Sequence, residues 1–334
     1  MIDETHDPAR GSWVEGADGH VEFPIQNLPL GIFAPPGEAP RAGTAIGDKV
    51  LDLRALGAAG LLGAEAAEVL TGATLNALFA APPQLRRDLR RRLSALLHDD
   101  RQRAAVEPWL HEAAACTMLL PAAIGDYTDF YVGIHHAGNV GRQFRPDNPL
   151  LANYKYVPIG YHGRASSVRP SGEPVVRPRG QTKAPDADAP QFGPTRRLDY
   201  ELEIGVWVGA GNALGAPIPI AQAQDHIVGL SLLNDWSARD VQAWEYQPLG
   251  PFLAKSFHTT VSPWVVTLEA LAPFRIPQPA RPAGDPQPLD YLWDDADQTK
   301  GAFAIRLDAS LTSERMRLAG LPPVRLSQTE ARHM

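Results

Sequence analysis

Glu201 and Glu203 stand two residues apart within residues 199–208, a run whose other members are largely apolar and that reads as a strand. Side chains two apart on a strand share a face, so both carboxylates project together while Leu202 and Ile204 point the other way. Like charges held that close raise each other's pKa unless a cation lies between them. Oxygen donors of this kind select hard divalent ions such as Ca²⁺ or Mg²⁺. The same alternation also describes an ordinary solvated sheet face. Two further acids bear on the choice: Asp235 follows the apolar run 227–233 and Asn234, at a strand end, and Asp129 lies in the polar-aromatic stretch 125–131. Four carboxylates overcompensate one divalent ion, and Lys255 or a nearby arginine is the kind of group that balances the surplus.

Lys255 stands among apolar neighbours in residues 251–257, where an unpaired ammonium would be costly. It therefore implies an acidic or anionic partner. His136 follows Asp129 by seven residues, in His135-His136-Ala137-Gly138-Asn139. A histidine so placed is either a general base or an exposed structural group, and spacing does not decide between them. Tyr161-His162-Gly163-Arg164 could wrap an anion with backbone amides, although a glycine-containing turn is weak evidence.

The elements that must position these groups are short. The 334 residues are 44% hydrophobic and 21% charged, which argues for a globular chain and against disorder. With 32 prolines and 29 glycines, turns are frequent and a β-rich architecture is favoured over a helix bundle. A net charge of −7 excludes a broad cationic field for nucleic acid. Arg86, Arg87, Arg90, Arg91 and Arg92 interleave with Leu85, Leu89, Leu93, Leu96 and Leu97 at helical spacing, which predicts an amphipathic helix with the arginines on its solvated face. The single cysteine, Cys116, can form neither an internal disulfide nor a thiolate metal site and reads as a buried inert thiol. No secretory leader and no apolar run of about 20 residues is present, so a cytoplasmic location is expected.

Along the chain, residues 1–22 read as a polar, loosely ordered leader. Residues 45–53 carry a hairpin signal with Gly47-Asp48 at its turn, and 53–110 read as several helices. After Pro121 come short strands and polar loops, including strands at 227–233 and 303–311, with a proline-dense surface excursion at 273–288. Residues 321–334 show no strand or helix that would close a sheet.

These segments together resemble the fumarylacetoacetate hydrolase (fumarylacetoacetase) family. The resemblance rests on residues 23–33, 45–53 and 124–131, on Tyr161-His162-Gly163-Arg164-Ala165-Ser166-Ser167 and on 198–203. It continues with Asn234-Asp235-Trp236-Ser237-Ala238-Arg239-Asp240, Trp244-Glu245-Tyr246, Pro248 to Leu253 and Lys255-Ser256-Phe257. Their order agrees with the family from about residue 23 to about residue 320. The resemblance implies a β-rich α+β chain: an SH3-like barrel with helices over 23–120, then a mixed β-roll over 121–334. It implies metal ligation by Asp129, Glu201, Glu203 and Asp235, with Lys255 and Thr259 at positions for substrate oxygens and a supporting cation. It also implies catalysis by His136 and Lys255, and substrate contacts at Tyr131, Arg145, Tyr161, Arg239, Gln242 and Tyr246.

The implied activity is hydrolytic carbon–carbon cleavage of 4-fumarylacetoacetate to fumarate and acetoacetate, the last step of tyrosine catabolism, by a Ca²⁺- or Mg²⁺-dependent homodimer. His258 departs from the pattern, which often has a small residue there. The pattern also continues with more sheet, a Gly-Thr-Ile-Ser-Gly segment and a glutamate that orients the histidine, none of which occurs here. The roll is therefore expected to be incomplete and the chain poorly active by itself. Two other readings stand beside this one. One is an acylpyruvate hydrolase, or a hydratase or decarboxylase of 2-oxo acids, on the same scaffold; the other is a non-catalytic fragment that still binds metal.

Overall fold

A computed structural model of the chain describes residues 2–333. The architecture is mixed α+β and rich in strands. Five strands, β1 (Leu30–Ala34), β2 (Arg41–Ile46), β3 (Lys49–Asp52), β4 (Leu110–Glu112) and β5 (Thr117–Leu119), form an antiparallel sheet in the order β4-β3-β2-β1-β5. The β2–β3 hairpin turns through Gly47-Asp48 as expected, with Gly47 at φ +55°, a left-handed conformation that a glycine adopts without strain. The helices α1 (Leu53–Ala58), α2 (Ala64–Val69), α3 (Asn76–Ala80), α4 (Pro83–His98) and α5 (Arg103–Val106) separate β3 from β4. Pro83 opens α4, where its missing N–H is no loss.

The leucines of α4 are buried as the periodicity requires, but two of its arginines are buried with them, which corrects the expectation of a solvated basic face. Arg90 reaches Thr5 Oγ1 at 3.0 Å and the carbonyls of Gln26 and Asn27 at 2.5 and 2.8 Å. Arg86 faces Glu269 at 3.7 Å. For Arg90 the cause is the amino-terminal segment, which is not loosely ordered: Thr5, Val14 and Ala17 are buried and Thr5 meets the guanidinium, while Arg86 is enclosed beside Glu269. Arg91, Arg87 and Arg92 keep the exposed side. Cys116 is half-buried, and burial raises its thiol pKa.

Beyond residue 121 a short pair, β6 (Thr128–Phe130) and β7 (Gly160–His162), is linked by α6 (Ile134–Phe144) and a long loop. The central sheet comprises β8 (Val168–Pro170), β12 (Leu202–Val208), β13 (Ile227–Asp235), β15 (Thr259–Val261) and β16 (Val266–Thr267), in the order β12-β13-β15-β8 with β16 also on β13. Only the β15–β8 pairing is parallel, so the sheet is mixed. A hairpin of β9 (Arg179–Thr182) and β10 (Gln191–Pro194) packs on α8 (Arg239–Glu245), and β11 (Leu198–Asp199) pairs β14 (Ser237–Ala238). The short helix α7 (Ala223–His226) leads into β13.

The strand expected over 199–208 is thus two strands, broken at Tyr200 and Glu201 where the chain leaves β14 and joins β13. Later come β17 (Arg275–Ile276), α9 (Asp295–Lys300), β18 (Ala302–Phe303), β19 (Arg306–Leu311), α10 (Glu314–Leu318) and β20 (Val324–Glu330). β20 pairs β19 along its length, correcting the expectation of no strand after residue 321: Val324 and Leu326 alternate just past the Pro322-Pro323 turn.

The two parts share one core. Leu30 and Val265 exchange backbone hydrogen bonds at 2.9 and 2.8 Å, and Val228 and Val265 join the apolar cluster of the first sheet. Trp207 packs on Phe79 with ring centroids 6.0 Å apart. That anchor fixes the far end of β12 and β13, and the ends nearer the carboxylates are left free for chemistry.

Candidate functional site

The carboxylates gather where β12, β13 and β15 lie side by side. Leu202 faces Asn234 in the β12–β13 register, so Glu201 comes opposite Asp235, and the Asp235 N–H donates to the Glu201 carbonyl at 3.2 Å. Asp235 in turn faces Thr259 on β15. Residues opposite one another across strands share a face, so Glu201, Asp235 and Thr259 form one row, with Glu203 two residues farther along on the same face. Asp129 arrives from β6, directly across from Tyr161 on β7.

Asp129, Glu203 and Asp235 each offer a carboxylate oxygen within 4.8 Å of the others. Glu201, the fourth expected ligand, lies beside this set and not within it. Its Oε2 accepts from Lys255 Nζ at 2.5 Å, and its Oε1 from Arg239 Nη2 at 2.7 Å and Ser237 Oγ at 2.7 Å. Glu201 stands at the strand break just before β12, where Lys255, Arg239 and Ser237 take up its oxygens. Lys255 also donates to Asp235 Oδ2 at 2.6 Å, and Thr259 Oγ1 donates to Asp235 Oδ1 at 2.9 Å. Lys255 therefore stands among the carboxylates as a counter-cation: an ammonium has protons to give and no lone pair for a metal. Burial disfavours its charge, but Asp235 and Glu201 outweigh that and raise its pKa.

The electrostatics separate the acids into two kinds. Glu201 is held below the ordinary carboxylate range: burial opposes this, but Lys255 and then Arg239 prevail. Glu203 has no cation of its own, and burial together with Asp129, Asp235 and Glu201 pushes it up to about 9. Burial likewise raises Asp129 to about 6, against a lowering by the Tyr161 hydroxyl beside it, and burial raises Asp235 despite Lys255. One buried and two half-buried carboxylates that repel one another make a donor set suited to a hard divalent ion. The residues present fit a metal.

His136 lies on α6, exposed, with its ring edge-on to Tyr131 at 5.8 Å between centroids. Tyr131 is two residues past Asp129. Burial raises its pKa, and the charges of Arg145 and Glu201 both bear on it, which puts His136, Arg145 and the carboxylates in one neighbourhood. Arg145 follows α6 and donates to the Pro149 carbonyl at 3.2 Å. Arg239 is taken up by Asp199, Glu201 and the Gln242 side chain. Tyr246, at the end of α8, is exposed.

A pocket of about 470 Å³ opens beside the cluster, lined by Tyr127, Tyr161, Gly163, Arg164, Phe252 and Lys255 among others. Of the expected substrate contacts only Tyr161 lines it. A hollow of about 660 Å³ on the other side of α6 contains none of the carboxylates. His258, the departure from the family pattern, is buried beside Arg169 and Glu173, and burial lowers its pKa.

Two supporting residues carry no signal in isolation. The Glu245 carboxylate accepts from the backbone N–H groups of Phe252 and Ala254 at 2.9 and 2.7 Å, which fixes the loop that presents Lys255. Ser237 anchors Glu201 as described. Both lie inside matched stretches, Trp244-Glu245-Tyr246 and 234–240, and only those stretches could have pointed to them.

The class is a mixed α+β chain with a partly buried carboxylate triad that could hold a metal ion, edged by an ammonium. Comparison with known proteins then assigns the particular family. The pattern "Fumarylacetoacetase N-terminal" matches residues 26–121 and "Fumarylacetoacetate (FAA) hydrolase C-terminal" matches 127–315. Fumarylacetoacetase of Rattus norvegicus is 48% identical over 309 residues, covering 88% of this chain and 71% of that protein. The Homo sapiens protein of that name is 47% identical over 304 residues with the same coverage, and that of Caenorhabditis elegans is 49% identical over 291, covering 82% and 67%. This chain belongs to the fumarylacetoacetase family. No helix among the described residues is long and apolar enough to cross a membrane.

Proposed function

We propose that the chain hydrolyses 4-fumarylacetoacetate to fumarate and acetoacetate. The observation that carries this is the Lys255 ammonium bridging Glu201 and Asp235 beside the triad of Asp129, Glu203 and Asp235, in a chain 48% identical to a fumarylacetoacetase. Cleaving a β-diketone requires water to add to one carbonyl and the adjoining carbon to leave as an enolate, and both steps put negative charge on oxygen. Asp129, Glu203 and Asp235, with Glu201 and Thr259 supporting, would hold a Ca²⁺ or Mg²⁺ ion, which would supply Lewis acidity to those oxygens.

The chain's own residues do the rest. His136, held edge-on by Tyr131, takes the proton from the attacking water as a neutral base. The hydroxyl joins the carbonyl carbon, the carbon–carbon bond breaks, and the leaving enolate takes up a proton to give acetoacetate. Lys255 donates to the developing enolate oxygen. Arg145, Tyr131, Tyr161, Gln242 and Tyr246 hold the terminal carboxylates, and Arg239 keeps Glu201 and Gln242 in place. The finer architecture we propose is an SH3-like barrel over 23–120 and a β-roll from 121 onward. The assembly we propose is a cytoplasmic homodimer, for which the exposed Val206 and Leu232 on the outer face of β12 and β13 offer an apolar contact.

The names of the relatives favour fumarylacetoacetate over acylpyruvate as substrate. Assaying purified chain on both, with Mg²⁺ or Ca²⁺ and again after chelation, tests this. Ion-dependent turnover of fumarylacetoacetate is expected. Faster turnover of acylpyruvate would overturn the substrate, and ion binding without any turnover would leave a binding fragment.

A further inference from the structure

Tyr127 is a polar group near the carboxylates that the proposed chemistry does not use. It lies two residues before Asp129, and its carbonyl accepts from the Gly163 N–H at 2.7 Å, carrying the β6–β7 ladder one step further. Its ring lies flat on Gly163: a Cβ there would stand 2.6 Å from Tyr127 Cδ1 and 2.8 Å from Cγ, closer than carbon atoms approach. Only glycine fits beneath the ring, so the phenol is pinned in place.

Pinned this way, its hydroxyl oxygen is buried and makes no hydrogen bond among the described residues. The charges that bear on it are those of Asp235, Glu203 and Asp129, the three acids of the triad. Thr259 lies beside it and gives its own proton to Asp235 Oδ1, but its oxygen is not in hydrogen-bonding geometry with the phenol. A buried hydroxyl left without a hydrogen bond costs about 1–3 kcal/mol. A rigid ring that holds such a group among three acceptors is placed to pair with them.

We propose that Tyr127 is a positioning residue of the cation centre, its hydroxyl donating to a carboxylate oxygen of the Asp129–Glu203–Asp235 set when that set holds its ion. Gly163 is required because it seats the ring. The inference rests on the cation reading of the triad. Partners that orient metal-binding carboxylates are worth about 10–100-fold in affinity.

The test is calorimetric titration of the purified chain with Mg²⁺ and with Ca²⁺, comparing the parent with Tyr127→Phe and Asp129→Asn, together with thermal melts in chelator and in excess ion. The near-isosteric Tyr127→Phe removes only the hydroxyl. It should bind about 10–100-fold more weakly, melt in chelator no earlier than the parent, and gain less from added ion. Parental affinity in Tyr127→Phe alongside lost affinity in Asp129→Asn would overturn the tyrosine's part and leave the cation reading standing. Earlier melting in chelator with unchanged affinity would make the hydroxyl merely structural and likewise overturn it. A parent chain that binds neither ion would bring down both.

Discussion

Around β1–β5 and α4 the largest fully buried side chains are apolar, Ile46, Leu51, Leu53, Leu93 and Leu96 among them, whereas where β12, β13 and β15 meet Asp235, Ser237 and Thr259 are buried beside half-buried Glu201, Glu203 and Lys255. The second region has only a small apolar cluster of its own, Ala238, Val241 and Ala254, and borrows the first region's core through Val228, Val265 and Trp207. The two are therefore vulnerable to different things. In the first, deleting a side chain leaves a cavity; in the second, it leaves a charge without its counterpart. Packing holds the sheet and charge balance holds the site, so substitutions can separate stability from chemistry.

The largest effect is expected on turnover alone. His136→Ala removes an exposed group whose ring packs on Tyr131, so folding and ion affinity should persist while kcat falls by about 10²–10⁴-fold. Stopped-flow or steady-state assay beside an ion titration reads both, and undiminished kcat would remove His136 from the mechanism. Next comes Lys255→Met, which strips Glu201 and Asp235 of a shared cation in the buried site. Breaking such a pair costs about 3–5 kcal/mol, read as a lowered urea midpoint, and turnover should be lost with it. A midpoint equal to the parent's would mean that the charges are already balanced by other groups.

In the apolar region the comparison runs the other way. Leu93→Ala, at a side chain 1% exposed, should cost about 2–5 kcal/mol of stability by opening a cavity. Below its melting point, ion affinity and kcat should match the parent. A kcat loss without a stability loss would show that the regions are coupled more tightly than the shared core implies.

Much of the site is legible in the sequence because ionisable residues in apolar strand ends are conspicuous: Asp235 after an apolar run, Lys255 among apolar neighbours and the Glu201–Glu203 spacing all converge. Less legible is what depends on a neighbour distant in the chain. Glu201 stands where the chain changes partners from β14 to β13, within reach of Arg239 and Ser237. Arg90 is buried because the amino-terminal segment lies over it, and Arg86 because Glu269 comes against it. Glu245 and Tyr127 matter through a loop 252–254 and a glycine at 163, and periodicity carries no trace of either. The order of the first sheet follows from its hairpin and helices. The central sheet, by contrast, mixes one parallel pair into antiparallel neighbours, which local pattern does not specify.

The smallest effect, and the most discriminating for the charged region, is a pH dependence. Glu203 is pushed up to about 9 and Asp129 to about 6, both by burial first and by neighbouring carboxylates next. A carboxyl with a raised pKa binds its proton more tightly in the folded chain than in the unfolded one. Its contribution is therefore whole below the unfolded value and is lost as pH rises through the folded value. For ion-free protein, stability should decline first towards about pH 6 as Asp129 ionises and then towards about pH 9 as Glu203 does. Glu203→Gln cannot ionise at that position, so its urea midpoint in chelator should fall less than the parent's over the upper part of that range. Saturating Mg²⁺ should flatten the parent's curve in the same range, because the ion takes the place of the proton. Parallel curves for parent and variant would show that Glu203 is not the group whose charge the folded chain resists.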